Sequence, residues 1–374
     1  MFHRDLLQKK CLAVVLASFM SLALLCLPVI LGAEEEEEAD LTAAGTAVDE
    51  LAAPSGDPSI VSPDARIEEL FTEAFFTEGP AVALDGSVYF SDITFTHASG
   101  MQAGHIWRYD PTTGEAKVYR SPSGMSNGLK IDAMGRLLAA EGADYGGRRV
   151  TRTDLNTGKT EIVAGLYEGR PFNAPNDISL DEMGRIYFSD PRYLGHEPID
   201  QAVTAVYRID PDRSVHQIIT DAGKPNGVAV APDQKSIYVV SNDNGNWGIG
   251  RLPDTAPAHK GRMALLAYDL RPDGTATFRK VLHDYSPEDG PDGLVCDADG
   301  NLYVAVRDLT RPGIVVYSPE GEELAYIPTP RPTNVAFGRG EQSKTLYITY
   351  AGSGGGTLAK IQVERDGYQL PASH

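Results

Sequence analysis

Cysteine is scarce: there are three in 374 residues, and Cys11 and Cys26 both lie in an apolar N-terminal run. Cys296 alone stands beyond that run, so no intramolecular disulfide can staple the rest of the chain. Its setting, Gly293-Leu294-Val295-Cys296, reads as a buried thiol and not a nucleophile. Positive charge is also short, with 33 basic residues against 52 acidic ones and a formal net charge of −19. No basic patch offsets this, which excludes nucleic acid as a partner. Sustained helical periodicity is missing, which excludes a helical bundle. No Gly-x-Ser-x-Gly stands in a strand–helix context, and Ser126 and Ser241 have no evident histidine partner, which excludes a serine hydrolase.

One long apolar stretch is present. His3, Arg4, Lys9 and Lys10 precede Cys11–Gly32, and Gly32-Ala33 is followed by five glutamates. A charged head, an apolar middle and a small-residue exit read as a secretory leader over residues 1–33. The run is long enough to span a bilayer, so an uncleaved anchor is the alternative. Cleavage is the expectation, because small residues followed by acid suit a peptidase better than a stop-transfer flank. Leu25 before Cys26 speaks against a lipid anchor. The chain is therefore expected in the periplasm or secreted, without stable membrane association. Residues 34–66 carry ten acids against Arg66 and show no apolar periodicity, which predicts an acidic disordered linker. The folded domain is expected over 67–374, and nothing in the sequence specifies an oligomeric state.

Internal repeats decide the fold class. EGPAVALDGSVYFSD begins at Glu78, SNGLKIDAMGRLLAAEG at Ser126, PNDISLDEMGRIYFSDP at Pro175, PNGVAVAPDQKSIYVVSN at Pro225, PDGLVCDADGNLYVAVR at Pro291 and PTNVAFGRGEQSKTLYITY at Pro332. Each copy has an anchor residue, a short apolar run, a turn and a second apolar run. A further hairpin such as IWRYDPTTGEAKVYR separates successive copies. The anchors Glu78, Asn127, Asn176, Asn226, Asp292 and Thr333 are 49, 49, 50, 66 and 41 residues apart. Four short strands per unit at that spacing predict an all-β, six-bladed β-propeller with four-stranded blades. The last copy lacks a strand, and Ile67–Ala74 is expected to supply it and close the ring.

Equivalent positions in a pseudo-symmetric ring lie together, so the anchors converge at one mouth of the central channel. Strand alternation puts the long connections Ile93–His105, Pro191–Thr204 and Asn242–Arg262 on that same face. Glu78, Asn176, Asn226 and Asp292 offer two carboxylates and two amide oxygens. Hard oxygen donors without His or Cys suit a Ca²⁺ site, and close carboxylates need a cation between them. The competing reading is that such residues only cap turns.

At Glu78-Gly79-Pro80, Asn173-Ala174-Pro175-Asn176-Asp177, Pro225-Asn226-Gly227 and Pro291-Asp292-Gly293 the chain resembles the gluconolactonase family, also called the regucalcin or senescence-marker-protein family. The resemblance spans about residues 67–365. It implies that Glu78, Asn226 and Asp292 hold one divalent cation, usually calcium and sometimes zinc, with Asn176 beside it as ligand or substrate contact. It also implies acid–base work for Asp292 and a substrate-facing Asn127. Two departures bear on the sugar: Asp190-Pro191-Arg192-Tyr193-Leu194 replaces Asp-Pro-Pro-Tyr-Gly, and Ala174 replaces an arginine. The expected reaction is hydrolysis of a small-molecule sugar lactone, with the cation as Lewis acid and Asp292 as general base or, alternatively, as nucleophile. Arg192, Tyr193 and His196 on one loop, and His97 on another, are candidate sugar or product contacts. Rival readings are an arylesterase or phosphotriesterase on the same scaffold, or a non-catalytic propeller that binds a sugar or protein around structural calcium.

Overall fold

Each repeat folds into one four-stranded antiparallel sheet, and six such sheets form the ring of a β-propeller. The computed structural model describes residues 48–101, 104–245, 260–352 and 355–371. The expected leader and residues 34–47 lie outside these. From the channel outward, blade 1 comprises Thr77–Val82, Val88–Asp92, His105–Asp110 and Glu115–Arg120. Blade 2 comprises Ser126–Ile131, Leu137–Glu141, Arg149–Thr153 and Thr160–Ala164, and blade 3 Ile178–Leu180, Ile186–Asp190, Ala205–Ile209 and Val215–Ile219. Blade 4 comprises Pro225–Val230, Ser236–Asn242, Met263–Leu270 and Ala276–Asp284, and blade 5 Pro291–Cys296, Leu302–Val306, Gly313–Tyr317 and Glu323–Pro328. Blade 6 takes Pro332–Phe337, Thr345–Gly352 and Gly355–Gln362 from the C-terminal end and Glu68–Ala74 from the N-terminal end.

The apolar runs are continuous because each sheet is covered on both faces by its neighbours. Val88, Phe90, Val239, Val240, Leu302 and Val304 on second strands are all fully buried. Outermost strands such as Glu115–Arg120 are instead largely exposed. Apolar layers fill the gaps between blades: Ala81, Tyr89 and Ile106 of blade 1 meet Leu129, Leu137 and Ala139 of blade 2. The ring closes as expected, with Glu68 paired to Lys360 and Glu69 to Ala359. Thr333 of blade 6 donates its hydroxyl to the Thr77 carbonyl of blade 1 at 2.8 Å.

One expectation is corrected. Residues 55–66 are not a disordered linker. Ser55–Gly56 adds a fifth strand to the outer edge of blade 5, opposite Tyr326 and Ala325. Ile60 and Val61 are 2% exposed and sit in the core between blades 5 and 6. The acidic average over 34–66 hides this short apolar pair, and covering a sheet edge gives it a place to be buried.

Candidate functional site

Five of the six anchors reach the channel on inner strands that are bulged next to them. Glu78 pairs with Ser91 but Ala81 with Tyr89, so the inner strand gains one residue. The same single insertion follows Ser126, Pro225, Pro291 and Pro332. A bulge twists the strand and re-aims a side chain, here at the same level in five blades. The following glycine allows the strands to crowd the axis. A Cβ on Gly79 would lie 2.2 Å from the Asn127 carbonyl oxygen, and one on Gly227 2.5 Å from the Asp292 carbonyl oxygen.

Glu78, Asn127, Asn176, Asn226 and Asp292 are consequently all buried at this level, between 3% and 8% exposed. Glu78 Oε2 accepts from the Gly79 N–H at 3.0 Å and from Asn334 Nδ2 at 3.4 Å. The Asn226 side chain lies beside both the Asp292 carboxyl and the Tyr193 hydroxyl. Arg307 Nη1 lies 3.7 Å from Asp292 Oδ2. Burial pushes the Glu78 carboxyl well above its usual range, and the charges of Asp292 and Asp177 push it further. Asp292 is raised to about 6, chiefly by burial and against the pull of Arg307. Asp177 is raised by burial as well; it accepts from the Val228 N–H at 3.1 Å just beneath the anchors.

Two buried acids beside each other, both pushed toward their neutral forms, are an arrangement whose repulsion a cation could relieve. Asn127 Oδ1 is buried without a hydrogen-bond partner, an oxygen such a cation could use. Among the described residues, no three His, Cys, Asp or Glu side chains are grouped to hold a metal. An ion here would rest on two carboxylates completed by amide oxygens, a donor set that fits calcium better than zinc.

The anchor-face loops behave unequally. Tyr193 enters the site: its hydroxyl donates to the Asn242 carbonyl at 3.0 Å, and the Lys224 ammonium stands 4.2 Å over its ring. Burial brings Lys224 down to about 7. Arg192, expected to meet substrate, is instead fully buried. It donates to the carbonyls of Asn173, Gly195 and Glu197 at 3.2, 2.7 and 2.8 Å, because a loop folded back on itself leaves carbonyls that a guanidinium fork can satisfy. His196 is half-exposed, with Nε2 3.7 Å from Asp144 Oδ1 and its ring 5.3 Å from that of Tyr145. Glu197 accepts the N–H groups of Asp144 and Tyr145, while Asp144 Oδ2 accepts that of Thr96, so loops of blades 1, 2 and 3 are tied together. The His97 side chain and residues 246–259 of the longest connection lie outside the described residues.

Below the site the inner strands enclose a cavity of about 100 Å³, lined by Lys130, Leu180, Val230 and Cys296 and covered on the far face by Tyr368–Leu370. Burial raises the Cys296 thiol far above its usual range, as expected for an inert cysteine.

Residues 76–352 match the family described as the SMP-30/Gluconolactonase/LRE-like region. The chain belongs to that family. Relatives of this SMP-30/gluconolactonase member include a gluconolactonase of Zymomonas mobilis, 27% identical over 78% of this chain and 80% of its own. A pentonolactonase of Haloferax volcanii is 27% identical over 72% and 82%. A solved gluconolactonase of Xanthomonas campestris superimposes with a TM-score of 0.67 at 25% identity, covering 84% of this chain and 96% of its own.

Arg307, Lys224, Asp177 and Asn334 were not singled out by sequence. Asn334 and Asp177 had a signal: both occupy the position after an anchor, where the other copies have glycine. Arg307 had a fainter one, since it leaves the second strand where the other blades have Ile93, Gly142, Pro191, Asn242 and Ala351.

Proposed function

We propose that this SMP-30/gluconolactonase member hydrolyses a sugar lactone at the anchor mouth with the aid of one divalent cation, calcium by its donor set. The observation that carries the reading is the convergence of Glu78 and Asp292, both raised by burial, with Asn226 at the channel mouth. Relatives named for opening gluconolactone and pentonolactone support the substrate class.

Glu78, Asn226 and Asp292, with Asn127 and Asn176 alongside, would hold the cation. When bound, it supplies Lewis-acid polarisation of an ester carbonyl and keeps nearby carboxylates ionised. Asp292 then has the roles of a general base: it accepts a proton from the attacking water and can return one to the departing ring oxygen. The Asn226 amide beside Asp292 favours its ionised form. Tyr193 is fixed by the Asn242 carbonyl and walls the mouth beside them. Residues 1–33, as a cleaved leader, would place the activity in the periplasm or outside the cell; N-terminal sequencing of the exported protein tests this.

The test of function is hydrolysis of glucono-1,5-lactone with calcium, zinc or chelator, in wild type and Asp292→Asn. Activity that requires the cation and falls at least about a hundredfold in the variant is expected. Equal activity of both proteins, or indifference to chelator, defeats the mechanism. A wild type inert on lactones, esters and phosphotriesters that still binds calcium would support a binding propeller instead.

A further inference from the structure

The connection between Leu137–Glu141 and Arg149–Thr153 of blade 2 holds two consecutive non-glycine residues in the left-handed region, Asp144 at φ 68° and Tyr145 at φ 63°. This connection starts at the anchor level. Glu141 is the register partner of Ser126, and the Gly142 N–H donates to the Met125 carbonyl at 2.8 Å. A Cβ on Gly142 would lie 3.5 Å from the Pro175 carbonyl oxygen. Ser126 and Pro175 each precede an anchor, Asn127 and Asn176, so Tyr145 belongs to the rim of the candidate site.

Left-handed backbone in residues that carry a Cβ persists only where the surroundings fix it. Here a carboxylate does so. Glu197 accepts the Asp144 and Tyr145 N–H groups at 3.1 and 2.6 Å, and Asp144 Oδ2 accepts the Thr96 N–H at 2.8 Å. That clasp accounts for the backbone but not for the side chain, because glycine would take the same conformation without strain. Burial does not account for it either: Tyr145 is 54% exposed, its ring tilted beside that of the half-exposed His196. Among the described residues, Phe278 is the one other exposed Phe, Tyr or Trp, and it lies on the outermost strand of blade 4.

We infer that Tyr145 is a stacking platform for the sugar ring of the substrate. The anchors Glu78, Asn127, Asn176, Asn226 and Asp292 offer carboxylates and amides, which suit a cation, a carbonyl and hydroxyls but present no apolar surface. A sugar lactone needs one. Its ring carbons expose C–H faces between the hydroxyls, and such a face packs on the electron-rich face of an aromatic ring. A tyrosine whose backbone is already fixed loses little freedom when it does so. The inference rests on the lactone-opening reading and adds to it the residue that recognises the ring, as distinct from the ester.

Titration of D-glucono-1,5-lactam, an analogue with a ring amide in place of the ester, into wild type, Tyr145→Ala and Tyr145→Phe tests it by calorimetry and proton NMR. Tyr145→Ala should weaken lactam binding roughly tenfold, the scale of one aromatic stacking contact. Tyr145→Phe, which keeps the ring, should hold most of the affinity. Lactam C–H protons should move upfield on binding to wild type and to Tyr145→Phe, the mark of an aromatic ring over them, and should not on binding to Tyr145→Ala. In lactone turnover the loss should fall on KM and not on kcat. Tyr145→Gly, which takes the left-handed backbone without strain, serves if the alanine variant does not fold. Lactam affinity unchanged in Tyr145→Ala, no lactam binding by wild type, or no upfield shift overturns the inference. Tyr145-dependent lactam binding in a wild type that opens no lactone would support the platform and defeat the hydrolytic reading. A lactone opened with the same KM by wild type and Tyr145→Ala would do the reverse.

Discussion

Asn334 of blade 6 donates to the Glu78 carboxylate of blade 1 at 3.4 Å, so the seam that closes the ring is also a wall of the candidate site. The same amide also favours the ionised form of Asp177. Asn334→Ala should therefore cost about 1–3 kcal/mol and weaken calcium binding. Thermal melts with and without calcium check this: the variant should lose more in the presence of the ion than in its absence.

The raised carboxylates set the pH dependence of the cation-free protein. A group whose folded pKa exceeds its unfolded value stabilises the fold at low pH, and that contribution is lost as pH rises through the folded value. For Asp292 the loss runs from about pH 4 to about 6, with Glu78 continuing it upward. Melting at pH 5 should thus exceed melting at pH 7.5 without calcium, and added calcium should raise the midpoint more at pH 7.5. Asp190, raised to about 7 by its own burial, adds the same trend without responding to the ion. Asp292→Asn should stabilise the cation-free protein at neutral pH by about 2 kcal/mol and abolish most of the calcium effect.

The N-terminal edge strand can be tested by truncation. A chain starting at residue 48 retains Ser55–Gly56 and the buried Ile60-Val61 pair; one starting at residue 62 exposes the outer edge of blade 5. Ile60→Ala should cost about 3 kcal/mol in chemical denaturation. The shorter chain should be less stable still and should self-associate through the freed edge, which sedimentation would register.

Blade number, strand order and the anchor level were readable in the sequence because each recurs six times, and a repeated turn or anchor averages out local ambiguity. The ring-closing strand was readable because the last copy was one strand short. What escaped was singular. Ile60 and Val61 are two apolar residues in an acidic stretch, and only the exposed edge of blade 5 explains their burial. Arg192 was misjudged because loop arginines commonly face solvent, and the carbonyls it serves exist only once the loop has folded. Arg307 carries no motif, and its contact with Asp292 depends on a register between strands that spacing alone does not fix.

Gly227 offers the sharpest test of the crowded axis. It follows Asn226, and a Cβ there would lie 2.5 Å from the Asp292 carbonyl oxygen and 2.7 Å from Leu294 Cδ2. Backbone cannot yield that much without shifting the inner strand of blade 5, which carries Asp292. Gly227→Ala should therefore separate Asn226 from Asp292, weaken calcium binding by more than about tenfold and destabilise the fold by about 1–3 kcal/mol. Gly165→Ala is the control, since its nearest neighbours, Arg149 Cβ and Ile162 Cγ2, are 3.8 Å away. Calorimetry and melting of both variants decide the matter: if Gly227→Ala binds calcium like the control, the close approach of blades 4 and 5 is not what assembles the site.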